Sequence, residues 1–266
     1  MNIHSLGYRT DVMVRYLSGS VVEERSDYLV VRTPANPTFW WGNFLLLPAA
    51  PSLADADRWE SWFVEEFPGL DHRAFGIDTS DGWTGDSDAL TALRANAQVN
   101  AVMSAPALRE PKPSDLDLRA FDDADWAQLP TLRSTVYATS DTGDVATEAT
   151  FLARQIAANK DLVARGHGEW LGAFDHGLLV AALGIVNVGS DVARYQAVET
   201  HPNYRRRGLA RRLLYDAAVL ATERFGARSL VIVADPEDHA FRLYESLGFV
   251  TVELQVELTR TPETAD

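Results

Sequence analysis

The segment Val198-Glu-Thr-His-Pro-Asn-Tyr-Arg-Arg-Arg-Gly-Leu-Ala210, continuing through Arg211-Arg212-Leu213-Leu214, holds the densest set of residues able to do chemistry. A strand-like run ends there, an arginine and glycine turn follows, and an amphipathic helix begins. The first backbone N–H groups of a helix have no intrahelical partner, and the helix dipole adds positive potential at the same end. Gly208 and Ala210 keep side-chain bulk away, so a diphosphate can approach the backbone closely. Arg205, Arg206, Arg207, Arg211 and Arg212 gather cationic charge around that point. Of the last two, one is expected to meet phosphate and the other a surface carboxylate.

A second run lies downstream, Ala240-Phe-Arg-Leu-Tyr244-Glu-Ser-Leu-Gly248-Phe249. Arg205-x-x-Gly208-x-Ala210 resembles the Gln/Arg-x-x-Gly-x-Gly/Ala signature of the GNAT superfamily of N-acetyltransferases, and the second run is similar to that family's A-x-x-L-Y-x-x-x-G-F motif. The resemblance spans roughly Leu116 to Leu258. It implies an α/β (α+β) GNAT acyl-CoA N-acyltransferase fold with a mixed central sheet, and acetyl-CoA as cosubstrate with no metal. It implies an acetyl group transferred to a primary amine of a small molecule or peptide, by direct attack in a ternary complex. Cofactor contacts then fall on Val198 and Thr200 through their backbone, and on Arg205, Arg206, Arg207, Gly208, Leu209, Ala210 and Arg211. The strand Gln196 to Thr200 is expected to splay from its neighbour and expose backbone groups to the pantetheine arm and thioester carbonyl.

Tyr244 matches the tyrosine that protonates the departing thiolate in such enzymes, a step that a nearby acid assists. The alternative for Tyr244 is a packed ring with its hydroxyl at the surface. A base or a water chain must also take the amine's proton; Glu199 is the first candidate and His201 the second. The family often carries an asparagine seven residues before the tyrosine, where this chain has Glu237, and a glutamate base earlier on the strand, about where Arg194 falls. A non-catalytic acyl-CoA-binding module, with a sensor or assembly role, would share the phosphate loop and differ at Tyr244 and the base.

The elements needed to position these residues follow from periodicity. After Leu116–Ala120, a strand, come helices near Asp123–Tyr137 and Val145–Arg165, the second stopped by Gly166 and Gly168. Trp170–Phe174 and Leu178–Val186 are strands joined by Asp175-His176-Gly177, a hairpin signal, and Ala193–Thr200 is a third. A helix over Gly208–Phe225, a strand over Ser229–Ala234, a helix over Asp238–Leu247 and a strand over Val250–Leu258 complete the half. Three prolines mark Pro106–Ser114 as a linker, so the expected division is 1–105, 106–114, 115–260 and a tail 261–266. The first domain reads as smaller and α+β: strands at Tyr28–Arg32, Asn43–Leu47, His72–Ile77 and Val99–Met103, helices at Ala54–Phe67 and Asp86–Ala95. Trp59, Trp62, Phe63 and Phe67 share one helical face, while Phe39-Trp40-Trp41 fills core or lines a groove, with core favoured. This half could be a degenerate GNAT-like unit. It lacks an Arg/Gly phosphate loop and is expected not to bind CoA.

The 266 residues include no cysteine, which excludes disulfides and thiolate metal sites or nucleophiles. No HExxH, Walker loop or serine elbow is present. A net charge of −14 opposes binding to nucleic acid or anionic membranes. The N-terminus lacks the pattern of a signal peptide, so a cytoplasmic protein is expected, with an amine as partner and a homodimer left open.

Overall fold

The computed structural model describes residues 2–137 and 145–262. The chain divides into two compact units. Unit 1 comprises Met1–Val102, Val233–Pro236 and Thr251–Asp266, and unit 2 comprises Met103–Ile232 and Glu237–Val250.

Unit 1 begins with α1 (Leu6–Leu17) and β1 (Val21–Glu24), two elements the sequence reading did not anticipate. The apolar stripe of α1 is interrupted by Gly7 and Thr10, both buried, and its start is built by remote carboxylates. Asp78 accepts from Ser5 N and Ser5 Oγ at 2.9 and 2.8 Å, and Glu253 accepts from Leu6 N at 2.6 Å. These acids satisfy the orphan N–H groups of the first turn and suit the dipole there. Then follow β2 (Leu29–Arg32), β3 (Phe44–Leu47), α2 (Ala56–Glu66), β4 (Arg73–Ile77), α3 (Ser87–Leu93) and β5 (Asn96–Ala105). Trp59, Phe63 and Phe67 pack on Leu45, Leu47, Phe75 and Ile77, as the helical spacing requires. The rings of Phe39, Trp40 and Trp41 are half-buried, with Trp40 stacked on His72 at 5.6 Å.

Unit 2 contains β6 (Asp117–Ala120), α4 (Leu129–Tyr137), α5 (Val145–Ala164), β7 (Gly168–Asp175), β8 (Leu178–Gly189), β9 (Val192–Thr200), α6 (Leu209–Phe225), β10 (Ser229–Ala234) and α7 (His239–Leu247). β7, β8 and β9 form an antiparallel meander, and β10 joins β9 in parallel after α6. The β7–β8 turn has positive φ at His176 and Gly177 (50° and 84°), the twist a two-residue hairpin needs. Pro106–Ser114 has no regular structure but is anchored within this unit: Arg109 N donates to the Leu247 carbonyl at 2.8 Å.

The last strand, β11 (Val250–Arg260), differs from the sequence expectation in its placement. From Thr251 it belongs to unit 1, because Val256–Arg260 pair antiparallel with Ile77–Arg73 of β4 and bury Val256 and Leu258 there. The expected tail ends its description at Pro262; its remaining residues lie outside the described ones.

The two units share a run of seven elements, α-β-β-β-α-β-α, from α1 to α3 in unit 1 and from α5 to α7 in unit 2, with matching pairing: two antiparallel steps, then a parallel step across a helix. They differ at that parallel step. In unit 1 the β3–β4 ladder runs to the end of β3, with Leu47 opposite Ile77, and Asp78 N donates to Leu47 O at 2.8 Å. In unit 2 the equivalent ladder stops early, at Val231 opposite Arg194, while β9 continues to Thr200.

Trp170 on β7 faces Gly184 on β8, and a Cβ on Gly184 would stand 2.4 Å from the indole ring. Gly184→Ala should therefore destabilise the fold by about 1–3 kcal/mol through overpacking, measured as a lower urea midpoint with unchanged slope.

Candidate functional site: a cavity between a splayed strand and two helix starts

β9 is freed on both edges over the same few residues. On the β8 side, Ala182 pairs with Glu199 and Gly184 with Gln196, so Ala197 and Val198 together oppose Leu183. That is a β-bulge, and Ala197 takes the left-handed conformation, φ 49°, which a residue with a side chain rarely adopts. On the other edge no β10 residue pairs beyond Arg194. Tyr195 fixes this stretch against α6, its hydroxyl donating to Leu214 O at 2.7 Å.

After Thr200 the chain makes a short 3-10 turn, Pro202–Tyr204, capped by His201 Nδ1, which accepts from Asn203 N at 3.2 Å. His201, the second base candidate, is thus occupied as a cap. Tyr204 donates from its hydroxyl to Asp175 Oδ2 at 2.7 Å, tying the loop to the end of β7. Arg206 and Gly208 have positive φ (63° and 81°), and Gly208 is the N-cap of α6. A Cβ built on Gly208 meets nothing within 4 Å, so the space above the helix start is open. Leu209, Leu213, Leu214, Ala217, Ala218 and Ala221 bury one face of α6, which leaves its N-terminus pointing at that space.

A cavity of about 940 Å³ occupies it, lined by Val198 and Thr200 of β9, Tyr204 to Arg206 and Gly208 of the loop, Leu209 to Arg211 of α6, Val136 of α4, and Asp238 to Ala240, Leu243 and Tyr244 at α7. The structure thereby brings together Val198, Thr200, Arg205, Arg206, Gly208, Leu209, Ala210, Arg211 and Tyr244. It turns Arg207 aside: that guanidinium lies over the Tyr204 ring at 4.6 Å and donates to Asn203 O at 3.2 Å. Arg212 also faces elsewhere, bound to Asp216 at 2.8 Å. Arg211 thus lines the cavity, while Arg212 faces a carboxylate.

Tyr244 is only 6% exposed, its ring edge-on to Phe249, which in turn meets Tyr195 edge-on. Burial, reinforced by Asp238, raises its pKa above the ordinary tyrosine value, against the opposing effect of Arg194. Its hydroxyl therefore keeps its proton across the neutral range. Asp238 itself caps α7, accepting from Ala240 N at 2.9 Å.

Glu199 is placed differently from the sequence expectation of a base in the site. It is absent from the cavity lining, 6% exposed, and its carboxylate is held by Arg133 Nε at 2.9 Å. Burial pushes its carboxyl up and Arg133 pulls it back. Arg133, 1% exposed, also donates to Gln155 Oε1 at 2.9 Å. Sequence reasoning passed over Arg133, yet a signal was there: it sits on the stripe Leu129, Leu132, Arg133, Val136, where helical spacing calls for apolar residues.

A diphosphate fits this cradle: an open glycine N-cap gives backbone donors without bulk, and Arg205, Arg206 and Arg211 add cationic donors around it. Among the described residues no cluster of three or more His, Asp or Glu could hold a metal ion, and no helix is long and apolar enough to cross a membrane.

Residues 132–249 match the acetyltransferase (GNAT) family, which places a GNAT domain in that stretch of the chain. Solved structures share the two-unit fold. A functionally unknown conserved protein from Staphylococcus epidermidis superposes with a TM-score of 0.69 at 14% identity, over 92% of this chain and 95% of its own. A GCN5-related N-acetyltransferase from Kribbella flavida gives 0.61 at 14% identity, over 97% and 98%. A tandem GNAT protein from the clavulanic acid biosynthesis pathway gives 0.56 at 14% identity, over 98% and 95%. The N-terminal half is accordingly GNAT-like in fold. No curated protein matches the chain.

Gly208→Glu should abolish CoA binding by bulk and charge while far-ultraviolet circular dichroism stays that of the wild type. Arg211→Ala should weaken CoA affinity and flatten its salt dependence, whereas Arg212→Ala should leave both within about twofold, since Arg212 is engaged by Asp216 in a half-buried pair away from the cavity lining; calorimetry at two salt concentrations reads the difference.

Proposed function

We propose that the C-terminal unit transfers the acetyl group of acetyl-CoA to a primary amine of a small molecule or peptide by direct attack in a ternary complex. The observation that carries this reading is the meeting, in one cavity, of a strand freed on both edges, a phosphate-ready helix start and a protonated tyrosine. The thioester supplies the electrophile: a C–N bond to the amine forms as the C–S bond breaks, nitrogen loses one proton and sulfur gains one. Gly208 and Arg205, Arg206 and Arg211 hold the diphosphate. The Val198–Thr200 backbone aligns the pantetheine arm, and the amides freed by the bulge face the carbonyl, where negative charge grows in the transition state. Tyr244 gives its proton to the leaving sulfur. Water, rather than Glu199 or His201, accepts the amine's proton, since both side chains are engaged elsewhere.

The alternative is a non-catalytic acyl-CoA-binding module. The buried, proton-retaining Tyr244 favours an enzyme, because a binding module has no use for a general acid beside the thioester. Acetyl-CoA consumption with a panel of amines separates the two: tight binding with no turnover on any amine would establish the module. Unit 1 serves as scaffold and binds no CoA on this reading, supported by its closed β3–β4 ladder and by the Pro48–Asp55 segment that stands where unit 2 has its arginines.

Tyr244→Phe should lower kcat by about 10²-fold or more with acetyl-CoA affinity nearly unchanged, read by steady-state kinetics and calorimetry. Because the tyrosine acts in its protonated form and its pKa is raised, the wild-type rate should show no loss on the alkaline side below the ordinary tyrosine value of about 10.

A further inference from the structure

Arg133 and Glu199 form a buried ion pair, with Gln155 the second partner of Arg133; Glu199 stands opposite Ala182, which belongs to a buried apolar cluster with Leu129, Leu132 and Trp170. Three features give the pair a place in the site. It joins α4, which presents Val136 to the cavity, to the one β9 residue between the cavity-lining Val198 and Thr200. Glu199 is also where β9 rejoins β8 after the bulge, opposite Ala182, so whatever holds its side chain fixes where the bulge ends. Finally, Arg133 Nη2 is buried with no hydrogen-bond partner among the described residues. A buried donor left unpaired weakens the fold, and buried ion pairs are often replaced by apolar residues without loss of stability. Stability alone does not account for this arrangement.

We propose that the Arg133–Glu199 pair is a clasp that sets the register of the β9 bulge against α4, aiming the backbone freed at Ala197 and Val198 toward the thioester carbonyl, with Glu199 a positioning residue and not the base. The inference rests on the acetyl-CoA reading above. Two points hold the strand segment: Tyr195 anchors it to α6 before the bulge and Glu199 anchors it to α4 after it. Between them Ala197 keeps its left-handed backbone, a strained state that persists only where the surroundings over-determine it.

The test uses the full chain with carbonyl-labelled [1-13C]acetyl-CoA, read by isotope-edited infrared spectroscopy, with CoA affinity measured separately by calorimetry and folding by thermal melts. Glu199→Gln keeps an oxygen for Arg133 Nε to bond, while the double change Arg133→Met with Glu199→Met removes both charges and fills the space with apolar chains. In the wild type the bound carbonyl band should lie away from its position in free acetyl-CoA. Glu199→Gln should keep most of that displacement. The double variant should lose it, with CoA affinity within about threefold of wild type because the diphosphate loop is untouched. Its kcat with the best amine of a panel should fall by about 10²-fold, the scale expected for a misplacement of about 1 Å.

A double variant that retains the displaced band overturns the clasp. So does one that fails to fold, since the pair would then be a requirement of the fold itself. Glu199→Gln with an intact band but kcat lowered by about 10³-fold and the acidic limb of the pH profile gone would return the base role to Glu199. A wild-type band at the free position, despite tight binding, overturns the clasp alone. Absence of any CoA binding removes the acetyl-CoA reading beneath it.

Discussion

The chemistry proposed for this protein depends on one departure from regular pairing: β9 leaves both of its neighbours within the same half-dozen residues. A strand inside a sheet normally spends every N–H and C=O on its ladder. Here the bulge at Ala197 and Val198 breaks the β8 ladder, and the β10 ladder ends at Arg194. The backbone groups so released are the binding surface on the proposed reading, and Val198 and Thr200 line the cavity there. The helix that follows starts at a glycine, so the same stretch of chain offers a second set of unpaired donors a few residues on.

Such a surface needs rigid surroundings, and they come from both sides. Tyr195 is bonded to the α6 backbone, Tyr204 to Asp175 and Glu199 to Arg133, while the Tyr195–Phe249–Tyr244 ring contacts carry the rigidity to α7. Each bond joins segments far apart in sequence. Unit 1 shows the same topology without the departure: its parallel step stays closed to Leu47, and Asp78 both extends that closure and caps α1. Two copies of one architecture thus differ in how far their parallel ladder closes.

The negative charge of the whole chain and the positive charge of the site are compatible because they act at different ranges. Screening limits exposed charges to about 10 Å at ordinary salt. Arg205, Arg206 and Arg211 set the potential within their own cavity, while Arg212 and Arg119 are bound to nearby carboxylates.

Much of unit 2 was legible in the residues themselves. The hairpin at His176-Gly177, the glycine that starts α6, the helices and strands in their order and the arginine and glycine turn before α6 all depend on local rules: positive φ, unpaired helix N–H groups and apolar periodicity act over a few residues. So does Tyr244, whose helical stripe fixes which way it faces. What the tertiary structure alone decided involves partners distant along the chain. α1 was not read because its start is completed by Asp78 and Glu253, and β11 was assigned by position although its ladder lies with β4. The same holds for Glu199: its type and place beside Val198 suggest a base, but a carboxylate's role is set by what it meets, and what it meets is Arg133, 66 residues away. Local sequence dictates conformation, whereas burial and pairing are properties of the assembled chain.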